Sequence, residues 1–337
     1  MRLNSLASRQ FVSRGGNLLQ VLAVDLGGSK CSAAVVNRDG KILSRRAAPV
    51  DVSSSSAPAL QIMQLAKELA GGKKLEDAYL AAAVAVPGLV PGDLSRSFSI
   101  PVQVESDRNA AVLGECWLGA ARGKYDVIAL MIGTGIGAGI LSGGRILRGA
   151  HELSGCAGWL TVTRENVHSA RNNGELESLV AGPCIARAVQ ERLRAGEDSS
   201  LAQFEVSKIT AHEVAAAARQ GDRLALDIFS RAGRFLGFGV ANLVSILDPE
   251  IVVLGGGMAA AADLYLDALQ TAMFERAQPI AAKKVSIVVS KIADTANLLG
   301  CARLAWDSIM DTENVSQQKI SSRSSRKKLP QVQKEAK

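Results

Sequence analysis

The apolar residues of the chain occur in short runs that end in glycine turns. Residues 19–44 contain an apolar run ending at Asp25, a turn at Gly27 and Gly28, a second run over Cys31–Val36, and a third after another turn. Short apolar runs separated by glycines are typical of β-hairpins, because glycine reaches positive φ without strain. We therefore predict three consecutive strands here.

The same pattern returns in Val127–Trp159, and the two stretches align. VLAVDLGGSKCSAAV (Val21–Val35) matches VIALMIGTGIGAGIL (Val127–Leu141) at a constant offset of 106 residues. A repeated strand–turn–strand–turn–strand unit indicates a duplicated fold, with two glycine turns facing one cleft, although two unrelated β-meanders remain the alternative. Residues 133–138 also fit a dinucleotide-binding pattern, but a strand follows them where that pattern needs a helix.

Strands and helices alternate over the rest of the chain. Tyr79–Val90 is predicted as a buried strand ending at Pro87-Gly88, and Val102–Glu105 as a short strand. Asp107 follows the latter, and we expect it to be the N-cap of a helix over Arg108–Gly119. The further predictions are helices at Ser54–Gly71, Leu176–Ala195, Ala211–Gln220, Arg223–Leu247 and Ala296–Met310, and strands at Asp248–Met258 and Lys284–Ser290.

Charge and cysteine usage narrow the class of protein. The net charge is +7, but residues 313–337 hold seven Lys or Arg and two Glu, so this tail carries +5. The tail has little to bury, so we expect a disordered basic segment and no nucleic-acid partner. No apolar run would span a bilayer, and residues 1–16 lack the pattern of a signal peptide. Five scattered cysteines without a C-x-x-C pair indicate a cytoplasmic protein without a zinc site.

Four motifs in order resemble the ROK family of sugar kinases and sugar-responsive regulators, within the actin/hexokinase/Hsp70 (ASKHA) superfamily. They are DLGGSK from Asp25, ESDRNAAVLGE from Glu105, MIGTGIGAG from Met131 and DPEIVVLGGG from Asp248. The resemblance runs from about residue 21 to 305 and includes glucokinases. It implies an α/β fold of two RNase H-like domains around an interdomain cleft for nucleotide and sugar.

The resemblance also implies roles for individual residues. Phosphoryl transfer from ATP to a sugar hydroxyl needs positioning, charge neutralisation and a base. Asp107 would be the general base, and Asp25 would hold Mg²⁺ through water. The ATP-binding residues would be Asp25, Gly27, Gly28, Ser29, Lys30, Gly133, Thr134, Gly135, Gly255, Gly256 and Gly257. The candidate sugar contacts are Gly88, Ser106, Cys156, Trp159 and Glu177.

The chain departs from the family pattern on the sugar side. Where family members carry G-E-I-G-H, with a sugar-binding Glu and a zinc-binding His, this chain has Gly155-Cys156-Ala157-Gly158-Trp159. The family's cysteine cluster is reduced to residues 173–177, and only Glu177 remains, so zinc is not expected. Ser106 replaces an Asn, and Arg108 stands where a small residue is usual. We expect Trp159 to fill the vacated space, with stacking on a sugar ring as the alternative.

Two functions follow from this pattern. The first is an ATP-dependent sugar kinase, and the alternative is a weak or inactive member that senses sugar or nucleotide. A DNA-binding repressor is less favoured, because residues 1–19 are too short for a helix-turn-helix. The expected organisation is an extension at 1–18, α/β domains at 19–119 and 120–295, a helix at 296–312 packing back on the first domain, and the tail at 313–337. The partners would be a small sugar and further copies of the chain, as a homodimer or larger homo-oligomer.

Overall fold

The computed structural model describes residues 19–87, 98–164 and 170–310. The predicted N-terminal extension and basic tail, and the end of the predicted strand Tyr79–Val90, lie outside these ranges. Within them, no helix combines the length and apolar character needed to cross a membrane.

Two five-stranded sheets have the same topology. The first has the order β3-β2-β1-β4-β5 and the second β8-β7-β6-β9-β10. In each, three consecutive strands pair antiparallel, and two later strands continue the sheet in parallel. The strands are β1 Gln20–Leu26, β2 Lys30–Asn37, β3 Ile42–Pro49, β4 Ala82–Val86, β5 Val102–Ser106, β6 Val127–Ile132, β7 Ile136–Ser142, β8 Arg145–Ile146, β9 Ile251–Gly255 and β10 Ser286–Val289. The predicted duplicated α/β fold is confirmed.

The two turns of the repeat differ by one residue. Leu26 pairs with Cys31 across the first turn, whereas Ile132 pairs with Ile136 across the second. The N–H of Gly133 donates to the carbonyl of Gly135 at 2.9 Å, which closes the second turn in fewer residues. The alignment at a constant offset is therefore wrong by one residue beyond the turn.

Besides 3-10 helices at Ala157–Trp159, Ser200–Gln203, Val206–Lys208 and Gly257–Leu264, eleven α-helices occur in the described ranges. They are α1 Ala57–Ala70, α2 Leu75–Ala78, α3 Asp107–Leu118, α4 Ala170–Asn173, α5 Glu175–Val180, α6 Gly182–Arg194, α7 Ala211–Arg219, α8 Arg223–Leu247, α9 Leu266–Arg276, α10 Pro279–Lys284 and α11 296–310.

Two helix predictions need correction. The predicted helix Leu176–Ala195 is two helices, because Ala181 is extended (φ −62°, ψ 152°) and Pro183 stands in the first turn of α6, where its missing N–H costs nothing. The predicted helix Ser54–Gly71 is shorter in the structure, Ala57–Ala70; it buries Ile62, Leu65 and Ala66, while Leu60 is 68% exposed.

Helix α3 lies between the two sheets. Val112 and Cys116 pack into a core with Val127 and Leu141 of the second sheet. Ala110 belongs instead to the core shared by the first sheet and α11. A Cβ on Gly300 of α11 would lie 1.7 Å from the carbonyl oxygen of Ala110, so glycine is required where these helices cross. This packing fixes the first turn of α3 relative to both sheets.

Candidate functional site

Asp107 is the first residue of α3 and not its N-cap. Ser106 is the cap: its backbone is extended and its Oγ accepts the N–H of Asn109 at 3.4 Å. The predicted capping role of Asp107 is therefore wrong, and its carboxylate is left available at the helix start. Asp107 Oδ1 accepts the N–H of Arg108 at 2.7 Å. Burial raises the pKa of Asp107, while this hydrogen bond and the charge of Arg108 oppose the rise.

Asp25 is the last residue but one of β1 and lies near Asp107. Its Oδ1 accepts the side-chain N–H of Asn297, from α11, at 3.0 Å. Burial raises the pKa of Asp25, the Asn297 hydrogen bond lowers it, and the negative charge of Asp107 raises it further. The positive charges of Arg45 and Lys30 also reach Asp25 and lower its pKa.

The first glycine turn joins β1 to β2. The Gly27 N–H donates to the Lys30 carbonyl at 2.9 Å, and this bond closes the turn. Gly28, Ser29 and Lys30 are exposed, and a Cβ on Gly28 would meet nothing within 4 Å. The tip of this turn is open to a ligand.

The second glycine turn, Gly133-Thr134-Gly135, is held by two other elements. Helix α6 begins against it, because the Gly182 N–H donates to the Gly133 carbonyl at 2.9 Å. Gly256 has φ 77°, and a Cβ there would lie 2.4 Å from the carbonyl oxygen of Ile132. Gly256 must therefore be glycine for the turn after β9 to approach this loop.

A cavity of about 630 Å³ adjoins the second glycine turn. This volume is in the range of small-molecule sites. The sequence motifs anticipated only its Gly133, Thr134 and Gly257 side. The remaining lining comes from α6, α7 and the segments beside them: Gly182, Pro183, Ala186, Gln190, Ile209, Thr210, Ala211, His212, Ala215, Arg219, Met258, Ala260 and Ala261. Patterned motifs give no signal for these residues, although Gly182-Pro183 after Ala181 marks a helix start.

The candidate sugar contacts differ in their exposure and in the hydrogen bonds that they form. Gly88 lies outside the described residues. Ser106 is buried and uses its hydroxyl as the helix cap. Glu177 accepts the N–H of Ile136 at 2.8 Å, so it supports the second glycine turn from behind. Cys156 is half-buried.

Trp159 does not fill a vacated space. Its surface is 58% exposed, at the end of a short 3-10 helix over Ala157–Trp159. The space-filling prediction is therefore wrong, and the indole is available to a ligand. Within the described ranges, no three His, Cys, Asp or Glu side chains converge in a way that could hold a metal ion.

Comparisons with known proteins agree with this architecture. The ROK family model matches residues 91–308. The glucokinase of Halalkalibacterium halodurans is 28% identical over 311 residues, covering 83% of this chain and 92% of that protein. A putative xylose repressor of a Caldicellulosiruptor species is 27% identical over 86% of this chain and 78% of its own length.

A solved structure shares the fold. The ROK family glucokinase of Streptomyces griseus, in complex with glucose and AMPPNP, superimposes with a TM-score of 0.73 at 26% identity, over 86% of this chain and 99% of that chain. The duplicated sheet order, the four motifs and the family match agree, and the chain belongs to the ROK family, with an ASKHA-type fold.

Proposed function

We propose that the protein transfers the γ-phosphoryl group of ATP to a sugar hydroxyl, with Asp107 as the general base. The observation that carries the proposal is the position of Asp107: a half-buried carboxylate that does not cap the helix, at the start of α3 between the two sheets and near Asp25. The similarity to glucokinases, one of them solved with glucose and AMPPNP, supports it.

The environment of Asp107 suits proton transfer from an alcohol. Burial raises its pKa, which makes the carboxylate a stronger base than an exposed aspartate. The Arg108 N–H bond and the positive end of α3 favour the ionised form, which is the form that accepts a proton.

The cavity beside the second glycine turn is the proposed nucleotide site. The base and ribose of ATP would occupy the 630 Å³ space, with Gly255–Gly257 alongside. The phosphates would extend towards Thr134 and the N-terminus of α6, where the positive end of the helix dipole favours anions. Gly27–Lys30 would complete the phosphate site from the other sheet.

Asp25 fits a role in holding Mg²⁺ through water. Besides burial, the negative charge of Asp107 raises the pKa of Asp25. A divalent cation would relieve this repulsion, and carboxylate oxygens suit Mg²⁺. The ion would supply charge neutralisation on the phosphates. Asn297 holds the Asp25 carboxylate in orientation for it.

The sugar would bind between Asp107 and the Gly155–Trp159 segment. Trp159 offers an exposed aromatic face and Cys156 a half-buried thiol, while Gly88, Ser106 and Glu177 remain proposed contacts. The 19–119 and 120–295 domain division and assembly into homo-oligomers are part of the same proposal.

The test is an ADP-release assay over a panel of hexoses and N-acetylhexosamines. We expect at least one sugar to stimulate ADP release, and Asp107→Asn to lower kcat about 10²–10⁴-fold with the ATP affinity kept. If no sugar stimulates ADP release while ATP still raises the melting temperature, the kinase proposal fails.

A sensor that binds sugar or nucleotide without turnover is the second candidate. Two observations favour it: similarity to a putative xylose repressor, and the use of Ser106 and Glu177 in internal hydrogen bonds. In the same assay this candidate predicts sugar binding by calorimetry without Asp107-dependent ADP release.

A further inference from the structure

Arg108 follows the proposed base and reaches across to the loop that precedes the Gly155–Trp159 segment. Its Nε donates to the carbonyl of Ser154 at 3.0 Å, and its Nη2 donates to the carbonyl of Glu152 at 2.9 Å. The residue is only 8% exposed. The described hydrogen-bond acceptors of this buried guanidinium are thus two carbonyls of one loop.

The loop that Arg108 contacts has unusual backbone angles. Glu152 has φ 57°, which is uncommon for a residue with a side chain. Gly155 has φ 82°, and a Cβ there would lie 1.8 Å from the Ala138 carbonyl oxygen and 3.5 Å from Arg108 Cδ. The Ser154 N–H closes the loop by donating to the Arg148 carbonyl at 2.9 Å. Such strain persists only where surrounding contacts hold it.

A second arginine makes the reciprocal connection. Arg148, at the start of the loop, donates from Nη2 to Oε2 of Glu105 at 2.6 Å, and the Glu105 side chain is only 7% exposed. The other oxygen, Oε1, accepts the Ser106 N–H and the Asn109 side chain, both at 2.9 Å. Asp107 therefore lies between two residues, Glu105 and Arg108, that are each bonded to the same loop.

We propose that Arg108 is a positioning residue that holds the Arg148–Gly155 loop on the first turn of α3, so that Asp107 and the sugar-facing segment beyond Gly155 keep a fixed separation. This inference rests on the proposed function for its catalytic consequence. Arg108 touches neither the phosphates nor the sugar in this scheme. It acts through the loop, and a misplacement of about 1 Å at a reacting group can cost about 10²-fold in rate.

Two variants distinguish the effect of the Arg108 charge from the effect of its two hydrogen bonds. Arg108→Met removes both the charge and the hydrogen bonds. Arg108→Lys keeps the charge but cannot reproduce two donors in a fixed plane. Arg192→Met is the matched control, because Arg192 forms ion pairs with Glu197 and Asp227 at the surface, away from Asp107.

The experiment measures amide hydrogen exchange over residues 148–158 together with steady-state kinetics on the sugar that the panel identifies. For Arg108→Met we expect exchange in this segment to accelerate at least tenfold, kcat to fall about 10–100-fold, and the ATP KM to stay unchanged. Arg108→Lys should recover kcat only partly. Arg192→Met should match the parent protein in both measurements.

Two outcomes would overturn the inference. One is unchanged exchange over residues 148–158 in Arg108→Met. The other is accelerated exchange spread evenly over both sheets, which would assign Arg108 to general stability. Exchange needs no turnover, so it decides the role of Arg108 even where the Asp107 test refutes the kinase proposal.

Discussion

The half-buried carboxylate of Asp107 should lower the stability of the fold at neutral pH. Because its pKa is raised in the folded state, the fold disfavours the ionised form, and stability falls as pH rises from the ordinary aspartate pKa through the raised one. We expect Asp107→Asn to raise the melting temperature by about 1–3 °C at pH 7, as measured by calorimetry. The gain should disappear below about pH 4, where the carboxylate is protonated in both states.

Asp39→Asn is the matched control, since Asp39 is exposed in the turn after β2. It should leave the melting temperature unchanged at both pH values. If the melting temperature of Asp107→Asn at pH 7 equals or falls below that of the parent, the ionised Asp107 carboxylate does not destabilise the fold.

Sequence reasoning singled out Asp107 as the base but placed it one position too early, as the cap of α3. Serine and aspartate are both good N-caps, so a Ser-Asp pair leaves the helix start ambiguous by one residue. Trp159 shows the same limit: a large apolar side chain indicates burial, yet the exposure depends on neighbours that are distant in sequence. The exposure of these side chains depends on tertiary packing, which the local sequence pattern does not show.

The close packing of α3 on β7 predicts that a side chain on the facing glycine of β7 would displace the helix. A Cβ on Gly139 would lie 2.0 Å from the carbonyl oxygen of Arg108, so the first turn of α3 would have to move. We expect Gly139→Ala to lower kcat at least tenfold, and to reduce the melting temperature, because backbone cannot yield as a side chain can. The measurements are sugar-dependent ADP release and calorimetry.

Gly137→Ala is the matched control on the same face of the same strand. A Cβ at Gly137 would meet the Arg108 side chain at 3.6 Å, an ordinary contact. Its kinetics should stay within about twofold of the parent, in line with a substitution that strains nothing. Equal effects of the two substitutions would mean that the close approach at Gly139 does not fix the position of α3.

The glycine spacing of this strand has two separate causes, and sequence reasoning recognised one. Gly133 and Gly135 form the turn, as the motif predicts. Gly139 must instead be small because α3 packs directly against it. The break between α5 and α6 was missed for a related reason. Apolar periodicity continues through Ala181, and the Gly182-Pro183 pair, which marks a new helix start, was given too little weight beside it.

For the whole molecule, the internal repeat was the most informative feature of the sequence. It predicted a duplicated fold, and the two sheets have the same strand order. The cavity beside the second turn was only partly predictable. Gln190, His212 and Ala260 come from three different helical segments, and no spacing along the chain connects them.

The residues that line this cavity fall between 133 and 261, and Asp107 lies outside that range. Substitutions should therefore be able to abolish nucleotide binding and catalysis separately. Ala260 is exposed at the cavity rim, and Ala260→Trp would place an indole over the space. We expect this variant to lose the rise in melting temperature that ATP produces, about 2.7 kcal/mol of stabilisation at 100 times Kd. Leu226→Trp, at an exposed position of α8 outside the cavity, should keep the rise, and so should Asp107→Asn. An undiminished ATP response in Ala260→Trp would place the nucleotide elsewhere, because an indole cannot share the cavity with an adenine.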